Sequence, residues 1–545
     1  MNFKLAIASA TLLLAAATSS GDHIFVNLFE TDSAELLEAG VRSFSNTANC
    51  KEFGDRFESW LENRMLVPST SWLNRSRPIR FIRTIDPQKP IDENNPAILT
   101  IAEMKDLGGT IGKICADLYR RRTPIGTYGA LYRDPVDTNL PPQVAIAAEA
   151  KHILISPSPE QLSWGWEYRQ RFIGAPRQNI HGNFRMLINS GRFAELLPLL
   201  HPNFARQPFV APLIKNFKNL AIALNFDGSA FSMAIRGQPE ESKELYQIIK
   251  QWESPEEGSW QKLPSNLLFS SLIGGTPPNF TKTFIPAPLD KLIWPIGSIA
   301  DTTECESDCP TILHQAPDGK SFIFGSVRKF KPGKATALPL DALDKIKGSN
   351  NDGIEWIKEP VRSIDGTSVH RYKLALTGDF AKAGAKHPDL DLIKSLIMIF
   401  FKNVHLELAV RDSSLYTALG TDKPMDQCLE LINASGQYKT VDKIISVSDR
   451  NMNGIKPLFA ALIRGSGIGL SMVRNFPGVT SENISDLSAS NDGLTIAAGR
   501  DAKTGAFTLS LRVDNSEISA LGMLNDKARP LVTELFFNLI SEKKM

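Results

Sequence analysis

Cysteine is scarce in this 545-residue chain, which has only Cys50, Cys115, Cys305, Cys309 and Cys428. So few thiols exclude a small scaffold stapled by many disulfides, and an odd count leaves at least one thiol free in an oxidising compartment. Charge of one sign is lacking as well. Lys and Arg number 61 against 59 Asp and Glu, a formal net charge of +2. That excludes the strong single-signed field on which general binding to nucleic acid or to a membrane surface depends. The eight histidines, among them His152, His201, His314 and His405, are scattered, with no His-x-His or His-x-x-x-His pair. Long apolar runs are missing beyond the first 20 residues. The greasiest stretch, Leu396 to Phe401 between Lys394 and Lys402, is far shorter than the ~20 residues of a spanning helix.

What is present begins at the N-terminus. Lys4, the apolar stretch Leu5 to Ala17 and the small-residue exit at Ala15, Ala17 and Ser19 form the three parts of a secretory signal peptide over residues 1–19. No cysteine lies near that exit, so a lipid-anchored form is not implied, and a periplasmic or extracellular protein is expected. In such a compartment Cys305 and Cys309 are the candidate disulfide, a small loop that would contribute roughly 2 kcal/mol. A bridge from Cys50 to Cys115 would contribute roughly 4 kcal/mol. Cys428 falls on the apolar face of an expected helix. A zinc reading of Cys305, Cys309 and His314 lacks a fourth ligand nearby, so no metal and no cofactor is expected.

With 42% apolar residues the chain can build real cores, and its length suits two to four domains. An internal match organises it. Phe217-Lys-Asn-Leu-Ala-Ile-Ala-Leu224 and Phe401-Lys-Asn-Val-His-Leu-Glu-Leu408 agree in letters and in alternation. Each is followed by a polar turn, a second strand (Ala230 to Ile235; Leu415 to Leu419) and a helix opening near a proline (Pro239 to Lys250; Pro424 to Asn433). Looser copies lie at Val144 to Ser156, with a helix from Pro159 to Arg171, and at Leu494 to Val513. Strands are also expected at His23 to Phe29, Ala97 to Met104 and Thr127 to Tyr132, and helices at Ser33 to Phe44 and through Cys115 to Arg121. Consecutive strands joined by short turns pair antiparallel and need helices over their apolar face. The expected fold is α+β: two related lobes of antiparallel hairpins covered by helices, over 22–262 and 311–545, joined by a linker-rich connection at 263–310 containing Gly274-Gly275-Thr-Pro277-Pro278.

Several motifs invite chemistry. Ser326-Val-Arg-Lys329, Ser481-Glu-Asn483 and Lys503-Thr-Gly505 match the triplets of penicillin-recognising serine enzymes in order. However, Phe322 to Val327 alternates like a strand, which sends Ser326 and Lys329 to opposite faces. Gly465-Ser-Gly467-Ile-Gly469 resembles a dinucleotide loop, but Pro457 to Arg464 reads as a helix before it and Gly467 to Met472 as a strand after it. That is the reverse of the order such a loop requires, so Gly465 reads as a helix C-cap. Arg75, Arg77, Arg80 and Arg83 are the candidate anion-binding residues, with Arg120 to Arg122 a second basic cluster. The bland reading of the first cluster is a charged edge strand. Trp164, Tyr168 and Phe172 recur along one helix face, as a core stripe or a carbohydrate platform.

The opening strand, the segment Lys51-Glu-Phe-Gly-Asp-Arg-Phe-Glu-Ser-Trp60 and the hairpin Val144-Ala-Ile-Ala to Ile153-Leu-Ile-Ser156 resemble a large family of exported bacterial proteins of unknown function, built from repeated strand-hairpin-helix units. The resemblance implies export and supplies no catalytic residue. With no consistent catalytic set, the expected function is that of a non-enzymatic binding or envelope-associated scaffold protein, with an envelope or protein partner. The alternatives are an exported hydrolase whose site is assembled from distant residues, and a carrier of an apolar ligand held between sheet and helices.

Overall fold

Apolar residues at alternate positions become sheet in the computed structural model. It describes residues 24–48, 51–67, 69–85, 98–106, 121–125, 129–133, 144–149, 151–157, 161–167, 180–191, 193–194, 214–255, 267–275, 309–315, 322–330, 354–376, 404–421, 423–433, 452, 455–474, 478–528 and 530–531. Residues 1–19, Cys50, Cys115, Cys305, Arg120, Tyr168 and Phe172 lie outside them. The fold is mixed α+β, and the chain divides into two compact units, Met1–Glu240 and Glu241–Met545.

The first unit holds strands β1 (Ile24–Thr31), β2 (Ile79–Ile85), β3 (Ile98–Glu103), β4 (Arg121–Ile125), β5 (Gly129–Arg133), β6 (Val144–Glu149), β7 (His152–Ser156), β8 (Phe184–Asn189), β9 (Phe217–Phe226) and β10 (Ala230–Pro239). Antiparallel pairing sets the order β4-β5-β6-β7-β3-β2-β1-β8-β9-β10. Three helices intervene between β1 and β2: α1 (Ala34–Thr47), α2 (Lys51–Asp55) and α3 (Phe57–Met65). The side chain of Ser33 caps α1 by accepting from the Leu36 N–H, one of the donors a helix start leaves without a partner. Ala34, Leu37 and Val41 of α1 and Phe57, Leu61 and Met65 of α3 fall at helical spacing, and all six are buried. They pack on Ile79, Phe81, Ala102, Ile153 and Ile155 of the sheet. Leu99 on the opposite face meets the helical turns at 161–167, where a Cβ added at Gly165 would lie 2.3 Å from Leu99 Cδ2. Both faces of the central strands are therefore covered.

The second unit holds β11 (Phe269–Ile273), β12 (Cys309–Gln315), β13 (Phe322–Lys329), β14 (Ile354–Ile364), β15 (Thr367–Leu376), β16 (Val404–Arg411), β17 (Ser414–Thr421), β18 (Lys456–Ile463), β19 (Leu494–Arg500) and β20 (Phe507–Asp514). Its order is β14-β15-β16-β17-β13-β12-β11-β18-β19-β20, antiparallel throughout. Raising every strand number of the first order by ten produces the second. Its helices are α4 (Glu244–Gln251), α5 (Pro424–Asn433), α6 (Gly465–Arg474) and α7 (Asn515–Met523). Two hairpin turns place consecutive residues in the left-handed region, Asp365-Gly366 and Asp412-Ser413, which matches the twist of the flanking strands.

Four expectations change. Pro457 to Arg464 is not a helix: Lys456–Ile463 is a strand paired on both sides, with β11 and β19. An unbroken apolar run fits a doubly covered strand as well as a buried helix, and periodicity does not separate the two. The glycine- and proline-rich connection at 263–310 contains β11, a central strand of the second unit. Pro239 ends β10, and the helix after it starts at Glu244. Finally, the Phe-Lys-Asn match joins β9 to the start of β16, which hold different places in the two orders. By order, the partner of β9 is β19 and the partner of β16 is β6.

At Gly40 the backbone of α1 comes directly against the sheet. A Cβ there would lie 2.5 Å from Phe226 Cβ and 2.9 Å from its carbonyl oxygen. Alanine normally stabilises a helix interior relative to glycine by about 0.5–1 kcal/mol. At this position the clash reverses the sign. Gly40→Ala is expected to lower stability by about 1–3 kcal/mol in a denaturant titration.

Candidate functional site

A cavity of about 560 Å³ lies between α1, α3 and the sheet of the first unit. Leu37 and Val41 of α1 form one wall. Helix α3 turns Phe57, Trp60 and Asn63 to it, with Ser59 and Arg56 beside them, the spacing of a single helix face. Phe184 of β8 and Phe226 of β9 make the floor. Strand register explains that floor. Phe184 lies opposite Leu224 on β9, and Phe226 opposite Phe231 on β10, so these residues share one side of the sheet.

The aromatic lining is held from behind. Phe226 meets Phe231 in a tilted contact and Phe44 edge-on, at centroid distances of 5.2 and 5.7 Å, and Phe184 meets Phe29 at 5.8 Å. Trp60 lies 5.6 Å from the Phe57 ring and 6.4 Å from the Phe81 ring, yet stays 40% exposed. A tryptophan braced on two rings with an open face is an apolar surface with no protein group over it. The chemistry available is burial of a hydrocarbon or aromatic body. The polar groups at the wall are an amide, a hydroxyl and one guanidinium.

The four candidate arginines do not converge. Arg75 pairs with Glu38 and Glu58, and Arg77 lies 3.8 Å from Glu103. Arg80 reaches Glu30 at 3.1 Å, and Arg185 joins the same carboxylate at 3.4 Å as well as Asp32. Arg80 and Arg83 lie on β2, an interior strand paired with β1 and β3, so the edge-strand reading fails for these two, and Arg75 and Arg77 precede the strand. Arg80 and Arg83 are three residues apart and face opposite sides of the sheet. Arg83 shares the side of Phe81 with the cavity, next to Arg64 of α3, a residue with no conspicuous motif around it. Burial and the like charge of Arg64 push Arg83 down to about 10. Burial also lowers Arg64, whose guanidinium lies 5.9 Å over the Phe29 ring. Among the described residues neither has a carboxylate partner, and the buried Arg83 Nε has no hydrogen-bond acceptor.

Polar clusters in the second unit are structural. Glu407 is fully buried and accepts from Arg362 at 2.9 and 2.8 Å and from the Met425 N–H at 2.9 Å. It thereby caps α5 and neutralises an arginine at once. The Gly465 segment follows a strand and opens a helix, as a phosphate loop would, but the place of the phosphate is taken. Buried Glu517 accepts from the Ser466 N–H at 2.7 Å and from its hydroxyl at 2.6 Å. Ser326 is buried on β13 while Lys329 is exposed. Lys503 to Gly505 lie in a turn where Asp501 accepts from two backbone N–H groups. Cys428 is buried, its thiol pushed up to about 12 by burial. The described residues contain no group of three or more His, Cys, Asp or Glu placed to hold a metal, and no helix among them is long and apolar enough to cross a membrane. The disulfide candidates Cys305 and Cys309 involve side chains outside the description.

His405 of β16 is buried. Its Nε2 lies 3.4 Å from Glu359. Burial and the charge of Arg371 outweigh that carboxylate and lower the imidazole pKa. The contact is therefore one of a neutral ring. Burial lowers His370 too, with Lys358 adding to it. Histidines that resist protonation when folded bind protons more readily when unfolded, so their contribution is intact above the ordinary value of 6.5 and is lost as pH falls below it. The melting temperature is expected to drop between pH 7.5 and 5.5, and to drop less in His405→Gln. Equal drops would contradict this.

No family model matches the sequence, and no curated protein matches it.

Proposed function

We propose that this chain is a non-catalytic exported protein that binds and carries an apolar ligand in the cavity between α1, α3 and the sheet of the first unit. The observation that carries the reading is the cavity itself. At about 560 Å³ it falls within the roughly 300–1,000 Å³ of small-molecule sites. Its walls are Leu37, Val41, Phe57, Trp60, Phe184 and Phe226, with few polar groups. The polar clusters elsewhere have their oxygens engaged in capping helices or neutralising arginines, which favours binding over acid–base chemistry. The leader at residues 1–19 and the resemblance to exported bacterial proteins support a place outside the cytoplasm. The matching strand orders of the two units support descent from one duplicated unit, with β9 answering to β19.

Titration of the full chain with the neutral fluorophore N-phenyl-1-naphthylamine tests the reading. Saturable binding with a blue-shifted emission is expected. Val41→Phe, which fills the wall, is expected to weaken it about tenfold, a change of ~1.4 kcal/mol, while far-UV circular dichroism stays unchanged. No saturable binding, or binding indifferent to the filled wall, would remove the proposal.

A further inference from the structure

Three buried or half-buried arginines of the first unit share a feature. Arg75 has two carboxylates, Arg80 has Glu30, and Arg185 has Glu30 and Asp32. Each charge withdrawn from water is matched, as the cost of an uncompensated buried ion demands. Arg64 and Arg83 both lack that match. The positive charge of Arg64 helps to lower Arg83, and among the described residues no carboxylate stands against either. Arg83 Nε is buried with no acceptor, as are the Nε atoms of Arg80 and Arg185, so what sets Arg83 apart is the lack of a carboxylate among the described residues. Arg64 lies over Phe29, and Phe29 stands opposite Phe81, two residues before Arg83 on the same side of β2, so the two like charges share one half-buried region, which destabilises the empty protein. They become favourable only when an anion sits between them, since guanidinium groups bind carboxylate and phosphate oxygens with paired hydrogen bonds.

Their position relates them to the cavity. Arg64 stands on α3 one turn beyond Trp60, on the helix face that lines the cavity. Its guanidinium lies over Phe29 at 5.9 Å, and Phe29 meets, at 5.8 Å, Phe184, a residue of the cavity floor. Arg83 projects from the same side of the sheet as Phe81 and Phe29, whose strands pair with Phe29 opposite Phe81. An apolar wall of rings thus leads from the cavity to a pair of unmatched cations.

We infer that the ligand is an anionic amphiphile, whose hydrocarbon body fills the cavity and whose carboxylate or phosphate head is held by Arg64 and Arg83. This inference rests on the proposed function, since it assigns the head of a ligand whose body occupies that cavity. The two arginines act as a specificity device: they select a charged head over a neutral one, and the rings supply the affinity common to both.

The test is displacement of N-phenyl-1-naphthylamine from the full chain by dodecanoate, dodecyl phosphate and 1-dodecanol. At least one of the two anions is expected to bind about tenfold more tightly than the alcohol, the worth of one charge-assisted hydrogen-bonded pair; comparison of the two identifies the head. Arg83→Met is expected to abolish that preference while leaving the alcohol unchanged, and Arg64→Gln to reduce it. Because Met removes an unmatched charge and keeps the apolar stem, the ligand-free Arg83→Met protein is also expected to melt higher than the wild type. Equal affinity for alcohol and anions in the wild type, or a preference that survives both substitutions, overturns the inference and leaves the apolar cavity reading standing. A lower melting temperature in Arg83→Met also overturns it, by showing that the charge is already matched. Failure of all three compounds to displace a fluorophore that does bind overturns the inference alone. Failure of the fluorophore itself to bind removes the cavity reading and this inference with it.

Discussion

The first unit depends on how its helices rest on the sheet. At Gly40 the backbone of α1 comes against Phe226 with no room for a methyl group, so that helix is fixed at close range. Helix α3 is anchored differently, through Phe57, Leu61 and Met65 in the core, and it ends at Leu66 in a left-handed conformation. One helix near the sheet and a second held off it by large rings leave a gap that neither can fill. Close packing makes unfilled apolar space unusual in protein interiors, so a gap walled by four aromatic side chains is itself an argument for a ligand.

Charge is managed by a second constraint. Glu407 and Glu517 are fully buried carboxylates, and each serves the first turn of a helix arriving from another part of its unit. Glu30 does comparable work between two arginines. These acids are satisfied by geometry, which is why none of them reads as a catalytic group. Against that background, Arg64 and Arg83 stand out as the pair the protein does not neutralise from within its described residues. The electrostatics and the packing thus point to the same side of the same sheet.

Much of the architecture was legible in residue patterns. Hairpins with polar turns between alternating strands, such as β6–β7, β9–β10, β16–β17 and β19–β20, follow from period and turn chemistry alone. Ser33 and Pro424 marked helix starts for the reasons that make such residues good first-turn neighbours. The run from Pro457 was misread because a strand covered on both faces loses its alternation, and the glycines after it then seemed to end a helix they in fact begin. Strand β11 was hidden in a segment whose glycine and proline content resembles a linker. The match of Phe217–Leu224 with Phe401–Leu408 falls on strands that hold different places in the two strand orders, since strand order is a long-range property that short matches do not record. The arginine cluster had the same fault: neighbours in sequence on a strand part company across the sheet, and the true companion of Arg83 comes from a helix about twenty residues earlier in the chain. Of the cavity, Leu37 and Val41 fall in the helix legible at Ser33 to Phe44, and Arg56, Phe57, Ser59 and Trp60 in the segment Lys51 to Trp60, whereas Phe184 and Phe226 come from strands brought together by tertiary pairing.

The central claim is that an apolar body is held between α1, α3 and strands β8 and β9. Amide hydrogen exchange of the full chain, with and without N-phenyl-1-naphthylamine, tests it most directly. The account predicts slower exchange confined to Ala34–Thr47, Phe57–Met65, Phe184–Asn189 and Phe217–Phe226. Protection appearing instead in the second unit, or no protection at saturating fluorophore, would contradict it.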